Sequence, residues 1–395
     1  MKKKIVFMVI NMNVGGTEKA LLNMISEIPK DKYDITILML EKYGAFLDFI
    51  PTGVHIEYLK EYKELKDILN RPPKTVVINL FKKGSIISGL SLIVFHLISR
   101  FVGNRIMFFK YFLRNVPVLK NEYDIAVAYA GPMDLISYFV VNKINAKKKI
   151  QWIHFDITKI GFNKHFASNM YSEFDKIFVV SEEAKNKLVK VVPTLKEKSE
   201  VFLNIVSPDI IRIQSKEEEG FRDNFDGLRI LTVGRLTAEK GQDLAIEVLA
   251  RLIKNGYKVK WYCIGEGDSR EKYEKLVEGY NLQNQFIFLG ANPNPYPYID
   301  QCDIYVQPSR YEGYCITLME ARALKKPIVT TDVNGTREQI IDGENGIIVN
   351  INEDEIYKGI EKLINNKELC NEFSRNLSNK SFNSAIQIKK LFNVF

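Results

Sequence analysis

Cysteine is scarce in this sequence of 395 residues, and the four present (Cys263, Cys302, Cys315, Cys370) form no C-x-x-C pair and no metal-ligand spacing. That argues against a disulfide framework or a thiolate zinc module and fits a reduced, cytosolic protein. No G-x-x-x-x-G-K-[ST] occurs, so a P-loop kinase or ATPase is poorly supported. The first strand-to-helix turn is not G-x-G-x-x-G either, which weakens a nicotinamide site. No apolar run reaches the roughly 20 residues that span a bilayer as a helix. The basic start, MKKKIVFMVI, has a short apolar run without a small-residue exit and leads into Gly15-Gly16, so it reads as a first buried strand and not as a leader.

Acidic residues are missing altogether from Ile68 to Lys120, where nine cations stand: Arg71, Lys74, Lys82, Lys83, Arg100, Arg105, Lys110, Arg114 and Lys120. The formal net charge is +8, so the rest of the chain sits at 8 − 9 = −1. Within this stretch GSIISGLSLIVFHLIS (84–99) carries no fixed charge, and the following RFVGNRIMFFKYFLRNVPVLK intersperses cations with aromatics. Cations among Phe, Leu and Tyr suit an anionic membrane surface, where each contributes about 1 kcal/mol. An ordinary core helix with basic caps fits the same residues. A nucleic-acid surface fits less well, because phosphate tracking needs no such aliphatic content.

What is present in quantity is hydrophobic residue, 46% against 26% charged, the balance of a soluble globular chain long enough for two domains. KIVFMVI (4–10), YDITILML (33–40), VHIEYL (54–59), TVVINL (75–80), YDIAVAYA (123–130), KKIQWIHFD (148–156) and KIFVVS (176–181) read as strands, separated by helical spacers. After a polar stretch at 207–226 the rhythm restarts with strands at LRILTV, KVKWYCI, FIFLG, DIYVQ, PIVTT and GIIV. The expected class is α/β: two doubly wound parallel-sheet domains facing across a cleft, with the site in that cleft. The expected division is an N-terminal domain over 1–206 containing the basic apolar segment (about 82–120), a linker over 207–227, a second domain over 228–368, and a C-terminal helix over 369–395 that crosses back to the first domain.

Four stretches carry candidate chemistry. VGRLTAEKG (233–241) places Arg235 and Lys240 between a strand and a helix, where two cations and free helix N–H groups suit a diphosphate; a solvated Arg and Lys is the plainer account. GEG (265–267) permits positive φ and close backbone approach, or is a simple tight turn. Glu312-Gly313-Tyr314 follows a strand, and Glu320 lies about one turn into the next helix. Two ionised carboxylates there are acceptors for two sets of hydroxyls, unless both face water. In the first half, Gly15-Gly16 precedes a helix, and His154 ends a strand where the cleft is expected; a lone histidine is more often a structural one.

Together GGTE (15–18), HFD (154–156), VGRLTAEKG, GEG, LG (289–290), EGYCITLMEA (312–321) and TDVNGTREQIIDGENG (331–346) resemble, in order and over nearly the whole chain, the retaining glycosyltransferases of family 4 with the two-Rossmann GT-B fold. The E-x7-E spacing of Glu312 and Glu320 is the most specific element. The resemblance implies that Arg235 and Lys240 meet the donor diphosphate and that Glu320 holds the ribose hydroxyls. It places Glu312 at the donor sugar near the reacting centre, with His154 beside it. Gly313 and Tyr314 would offer backbone amides, and Gly15 and Gly16 would approach the diphosphate and acceptor. Cys315 and Asn334 depart from the commonest pattern, which leaves sugar choice open.

The implied activity is hexosyl or N-acetylhexosaminyl transfer, without a metal and with no cofactor beyond the nucleotide sugar, UDP-linked by default. EYDIAVAYAGPMD followed by KKKIQWIHFD resembles capsule and exopolysaccharide transferases. The expected acceptor is then a membrane-borne, polyprenyl-diphosphate-linked glycan, and the expected location is cytoplasmic, peripheral on the inner face of the cell membrane, with no nucleic-acid partner. An inverting GT-B enzyme and a catalytically silent nucleotide- or sugar-binding subunit are the alternatives.

Overall fold

The computed structural model describes residues 2–395 except 64, 67–72, 83–93, 95–104 and 379–383. Most of the uncharged stretch at 84–99, and with it His96, Lys83 and Arg100 of the basic segment, therefore lies outside the described residues.

The chain forms two compact units: Met1–Asn13, Ser26–Phe202 and Val394–Phe395 in the first, Val14–Ile25 and Leu203–Asn393 in the second. The first is built on a seven-stranded sheet in the order β3-β2-β1-β4-β5-β6-β7. Its strands are β1 (Lys3–Val9), β2 (Tyr33–Met39), β3 (His55–Tyr58), β4 (Glu122–Ala128), β5 (Asn145–Ile153), β6 (Lys176–Val179) and β7 (Ser199–Val201), every pair parallel. Ile5 to Met8 and Ile125 to Ala128 are all buried, as a parallel strand covered on both faces requires.

The second unit repeats the plan over six strands, β10-β9-β8-β11-β12-β13. These are β8 (Leu228–Val233), β9 (Val259–Ile264), β10 (Phe286–Gly290), β11 (Ile304–Gln307), β12 (Ile328–Thr331) and β13 (Ile347–Val349), again all parallel. The helix Gln242–Lys254 shows why such spacers fold. Leu244, Ala245, Val248, Leu249 and Leu252 form one buried stripe, Asp243 opens the first turn, and Arg251 and Lys254 close the last. Gly256 follows at φ +84 and ends it.

In both sheets the strand order reverses direction at the first strand of the unit, β1 against β4 and β8 against β11. Loops leaving the carboxyl ends of such a strand pair open a crevice, and ligands of open α/β sheets bind there.

Two sequence expectations need correction. TVVINL is no strand: it lies within the helix Pro73–Lys82, where Val76 and Val77 are buried while Thr75 and Ile78 face water. A short β-branched run cannot be told from one face of a helix by its period, and the prolines before it suit a helix start. The polar stretch after Ser207 opens with a helix, Pro208–Gln214, its Ser207 hydroxyl capping Ile210 N–H at 3.5 Å. Further on, Asp223 accepts from Arg229, Lys260 and Tyr262, which docks this stretch on the sheet. Among the described residues the C-terminal segment is helical over Lys367–Ser378 and Ser384–Val394. Among the described residues no helix is long and apolar enough to cross a membrane.

Candidate active site

The crevice of the second unit is built from two loops, the one after β8 and the one after β11. The first turns through Gly234 and Arg235 and rests on the glycine turn after β9. A Cβ at Gly265 (φ +150) would lie 2.0 Å from the Gly234 carbonyl oxygen, and one at Gly267 would lie 2.4 Å from that of Leu236. Leu236 N–H donates to the Glu266 carbonyl at 3.0 Å. The GEG stretch is thus the support of the Arg235 loop, and glycine is required because two backbones meet.

The two loops are tied to each other. Gly241, at φ +71, brings its backbone against Pro308, where a Cβ would sit 2.0 Å from the carbonyl oxygen. Arg310 grips Asp243 with two bonds of 2.8 Å, and its N–H donates to the Glu239 carbonyl at 2.7 Å. A bidentate guanidinium–carboxylate pair of this kind fixes orientation as well as distance. The Arg235 carbonyl is held by the Gln242 amide at 2.8 Å, while its guanidinium stays half-exposed and pairs with Glu239 at 3.1 Å.

Lys240 reaches across to Glu312, its Nζ 2.7 Å from both carboxylate oxygens. Burial acts to lower the Lys240 ammonium, but the Glu312 carboxylate outweighs it and holds the group above its ordinary value. Glu312 is 8% exposed and also accepts from the Ser309 hydroxyl at 2.7 Å and the Gln307 amide at 3.4 Å. Gly313 and Tyr314 follow it, both buried, and the Tyr314 carbonyl accepts from the Asn204 amide at 3.3 Å.

Glu320 stands on the helix Ile316–Ala323, whose Leu318, Met319 and Ala321 are core residues, and is itself 2% exposed. Burial pushes its carboxyl up to about 6, against the opposing pull of the Lys19 ammonium and the Tyr296 hydroxyl. Tyr296 donates to its Oε1 at 3.0 Å, and the Lys19 Nζ lies 4.8 Å from the centre of the same Tyr296 ring. Lys19 belongs to the helix Gly16–Ser26, so the Gly15-Gly16 loop packs with this unit and Gly16 approaches Ile316. On the same helix burial raises the Glu18 carboxyl to about 7, with its own backbone N–H and the charge of Arg235 pulling the other way.

His154 follows β5 in the first unit. It is buried against Tyr129, the ring centres 4.6 Å apart, and among the described residues Nε2 has no hydrogen-bond partner. Burial drives its imidazole down to about 3, opposed by a bond to the Tyr129 backbone. With Nε2 unpartnered, that bond is made by Nδ1–H, so the ring is a neutral imidazole with Nε2 as the acceptor. Two residues on, Asp156 accepts from Thr158 and from Lys187 at 2.9 Å.

The structure thus gathers Arg235, Lys240, Glu312, Gly313, Tyr314, Glu320, Gly15 and Gly16 in one unit and places His154 in the other. Sequence reasoning did not single out Lys19, Tyr296, Gln307, Ser309 and Arg310. Lys19 stands directly after the quoted GGTE and Ser309 three residues before Glu312, and that proximity was the available signal. Among the described residues no three His, Cys, Asp or Glu side chains gather as metal ligands. The second unit as built can present a guanidinium to an anion and buried carboxylates to hydroxyl donors.

Comparison with known proteins bears on these features. Residues 214–380, which hold Arg235, Lys240, Glu312 and Glu320, match the family described as Glycosyl transferases group 1. A Campylobacter jejuni N-acetylgalactosamine-N,N'-diacetylbacillosaminyl-diphospho-undecaprenol 4-alpha-N-acetylgalactosaminyltransferase is 30% identical over 209 residues, 52% of this chain and 55% of that protein. The Staphylococcus aureus capsular polysaccharide biosynthesis glycosyltransferase CapM is 28% identical over 243 residues, 55% of this chain and 61% of that one. The chain thus spans little more than half the length of these relatives. Among solved structures, a TarM mutant of S. aureus bound to Fondaparinux, alpha-GlcNAc-glycerol and UDP aligns with TM-score 0.70 at 16% identity, covering 99% of both chains. Anabaena HepE with UDP aligns with TM-score 0.65 at 16% identity, covering 100% of this chain and 97% of that one. At such identity these structures speak to fold, and the fold is GT-B, two Rossmann-like parallel-sheet domains, while residues 214–380 are similar to the group 1 glycosyl transferases.

Proposed function

We propose that this protein is a retaining glycosyltransferase that moves a sugar from a UDP-sugar to a membrane-associated, polyprenyl-diphosphate-linked glycan in surface polysaccharide synthesis. The observation that carries the reading is the assembly of Arg235, Lys240, Glu312 and Glu320 at the reversal point of the second sheet, inside the region that matches the group 1 family. Arg235 and Lys240 meet the charge that develops on the leaving diphosphate, and charge stabilisation of that kind is the largest lever such a site has. Glu320 accepts from the ribose hydroxyls, and Glu312 meets the donor sugar. Departure and attack on one face of the sugar give retention without a protein nucleophile.

The named substrates of relatives support the acceptor and donor classes: one relative acts on a diphospho-undecaprenol-linked sugar, and two structural neighbours hold UDP. Contact with an anionic membrane through residues 82–120 is part of the same reading. In the described portion Met107, Lys110, Arg114, Val118 and Lys120 are exposed. Flotation with vesicles containing phosphatidylglycerol tests it, and unchanged binding after charge reversal at Lys110, Arg114 and Lys120 would remove it.

The decisive experiment is calorimetric titration of UDP and GDP into wild type and Arg235→Ala. Arg235 lies half-exposed on a loop, so its loss should leave folding intact and weaken UDP binding about 10- to 100-fold, the worth of one charged hydrogen-bond donor. GDP selectivity would change the donor, and binding of neither nucleotide would overturn the reading.

A further inference from the structure

A buried chain of polar side chains ends on Glu312 and has a direction. Glu312, as an ionised carboxylate, can only accept. The Ser309 hydroxyl at 2.7 Å therefore spends its single proton on Glu312 Oε1. A hydroxyl that donates forward must be met from behind by a donor, and behind Ser309 lies the Gln307 amide at 2.9 Å. That turns the Gln307 Nε2 toward Ser309 and Glu312 and its Oε1 the other way. There Oε1 accepts from the Tyr305 hydroxyl at 2.8 Å, with the Thr317 hydroxyl at 3.2 Å. Gln307 is 1% exposed and Ser309 fully buried, so water does not replace any link.

The consequence for Glu312 is asymmetric. Among the described residues Oε1 accepts from Ser309, Gln307 and Lys240, whereas Oε2 accepts from Lys240. A carboxylate held in that way cannot rotate its two oxygens past each other without breaking three bonds at one of them. We infer that Gln307 and Ser309 are positioning residues, a buried relay that pins Oε1 of Glu312 and so keeps Oε2 presented to the donor sugar. This rests on the reading of Glu312 as the group that meets that sugar. Gln307 also holds the buried Tyr305 hydroxyl, so it serves the packing and the relay together, whereas the Ser309 hydroxyl is the donor aimed at Glu312.

The test compares wild type with Ser309→Ala, Gln307→Met and Ser309→Thr in two assays: binding of UDP, and turnover of whichever member of a UDP-sugar panel the wild type uses. Binding of UDP reports on phosphate and ribose contacts, and turnover reports on Glu312. Loss of one donor to a charged group should lower kcat about 10- to 100-fold in Ser309→Ala and Gln307→Met. KM and the affinity for UDP should stay within about twofold, since the lost contact matters as charge develops on the sugar. Ser309→Thr, which keeps the hydroxyl, should recover most of kcat. Unchanged kcat in Ser309→Ala would overturn the relay and leave the glycosyltransferase reading standing. So would parallel loss of UDP affinity, thermal stability and turnover with no recovery in Ser309→Thr, the pattern of plain structural damage. Wild type that neither binds UDP nor turns over any UDP-sugar would instead overturn the reading of the site, and the relay with it. Gln307→Met carries the larger folding risk, and Ser309→Ala, which deletes one oxygen, keeps the comparison decisive.

Discussion

Removing Lys240 should unbalance the site in a way that can be separated from its effect on activity. The Lys240 and Glu312 side chains are 17% and 7% exposed, and Nζ lies 2.7 Å from both carboxylate oxygens. Deleting one member of a buried ion pair costs about 3–5 kcal/mol, because the other charge stays buried without its partner. Here Ser309 and Gln307 continue to donate to Glu312, and Lys240 is not wholly dry, so Lys240→Met should cost about 2–3 kcal/mol. For a unit of roughly 200 residues that is a fall in Tm of about 5–10 °C. Adding Glu312→Gln removes the orphaned charge, and the double variant should return to within about 1 kcal/mol of wild type. Scanning calorimetry on the four proteins gives the cycle, and donor turnover measured on the same samples should be lost in all three variants. An unchanged Tm in Lys240→Met would mean that the pair is not made in solution. A double variant no more stable than Lys240→Met would mean that the cost is lost packing along the lysine stem, and the electrostatic account would be wrong.

Three further outcomes follow from the same geometry. Glu320, raised from its ordinary 4.5 to about 6, binds protons more readily in the folded chain, so it lowers stability as pH rises through that window. Glu320→Gln should therefore be more stable than wild type at pH 7.5 by about 1–2 kcal/mol, with the gain gone at pH 4, as read by urea unfolding at both pH values. His154 has the opposite sign: held down to about 3 from 6.5, it binds fewer protons when folded, so the first unit should lose stability as pH falls below about 6.5. His154→Phe, which cannot titrate, should remove that slope of about 1.4 kcal/mol per pH unit, and a slope unaltered in the variant would assign it elsewhere. Gly265→Ala puts a methyl 2.0 Å from the Gly234 carbonyl oxygen at φ +150, so it should cost about 2 kcal/mol or more and displace the Arg235 loop. Weakened UDP binding with an unshifted Tm would contradict that account.

The parts of this protein that could be read from sequence are those in which neighbours along the chain do the physical work. Strands buried on both faces are continuous apolar runs, so KIVFMVI, YDIAVAYA and DIYVQ were visible, and among the described residues the short strand Ser199–Val201 was passed over. TVVINL failed because a run of that kind satisfies one face of a helix as well as a strand, and burial of Val76 and Val77 beside an exposed Ile78 decides it only in three dimensions. Glu312 and Glu320 were legible because nine residues of one loop and helix, EGYCITLME, hold both, with core residues between them. Their partners were not. Lys240 is 72 positions from Glu312 and becomes its neighbour because β8 and β11 lie side by side in the sheet, an adjacency that strand order sets and local pattern does not. The pairing also alters what the lysine is: a cation expected to face phosphate alone is bonded to a carboxylate, so Arg235 is the more available charge for an incoming anion. Gln307 and Ser309 looked like the polar end of a strand, and only the acceptor-only chemistry of the carboxylate they lead to gives them a direction.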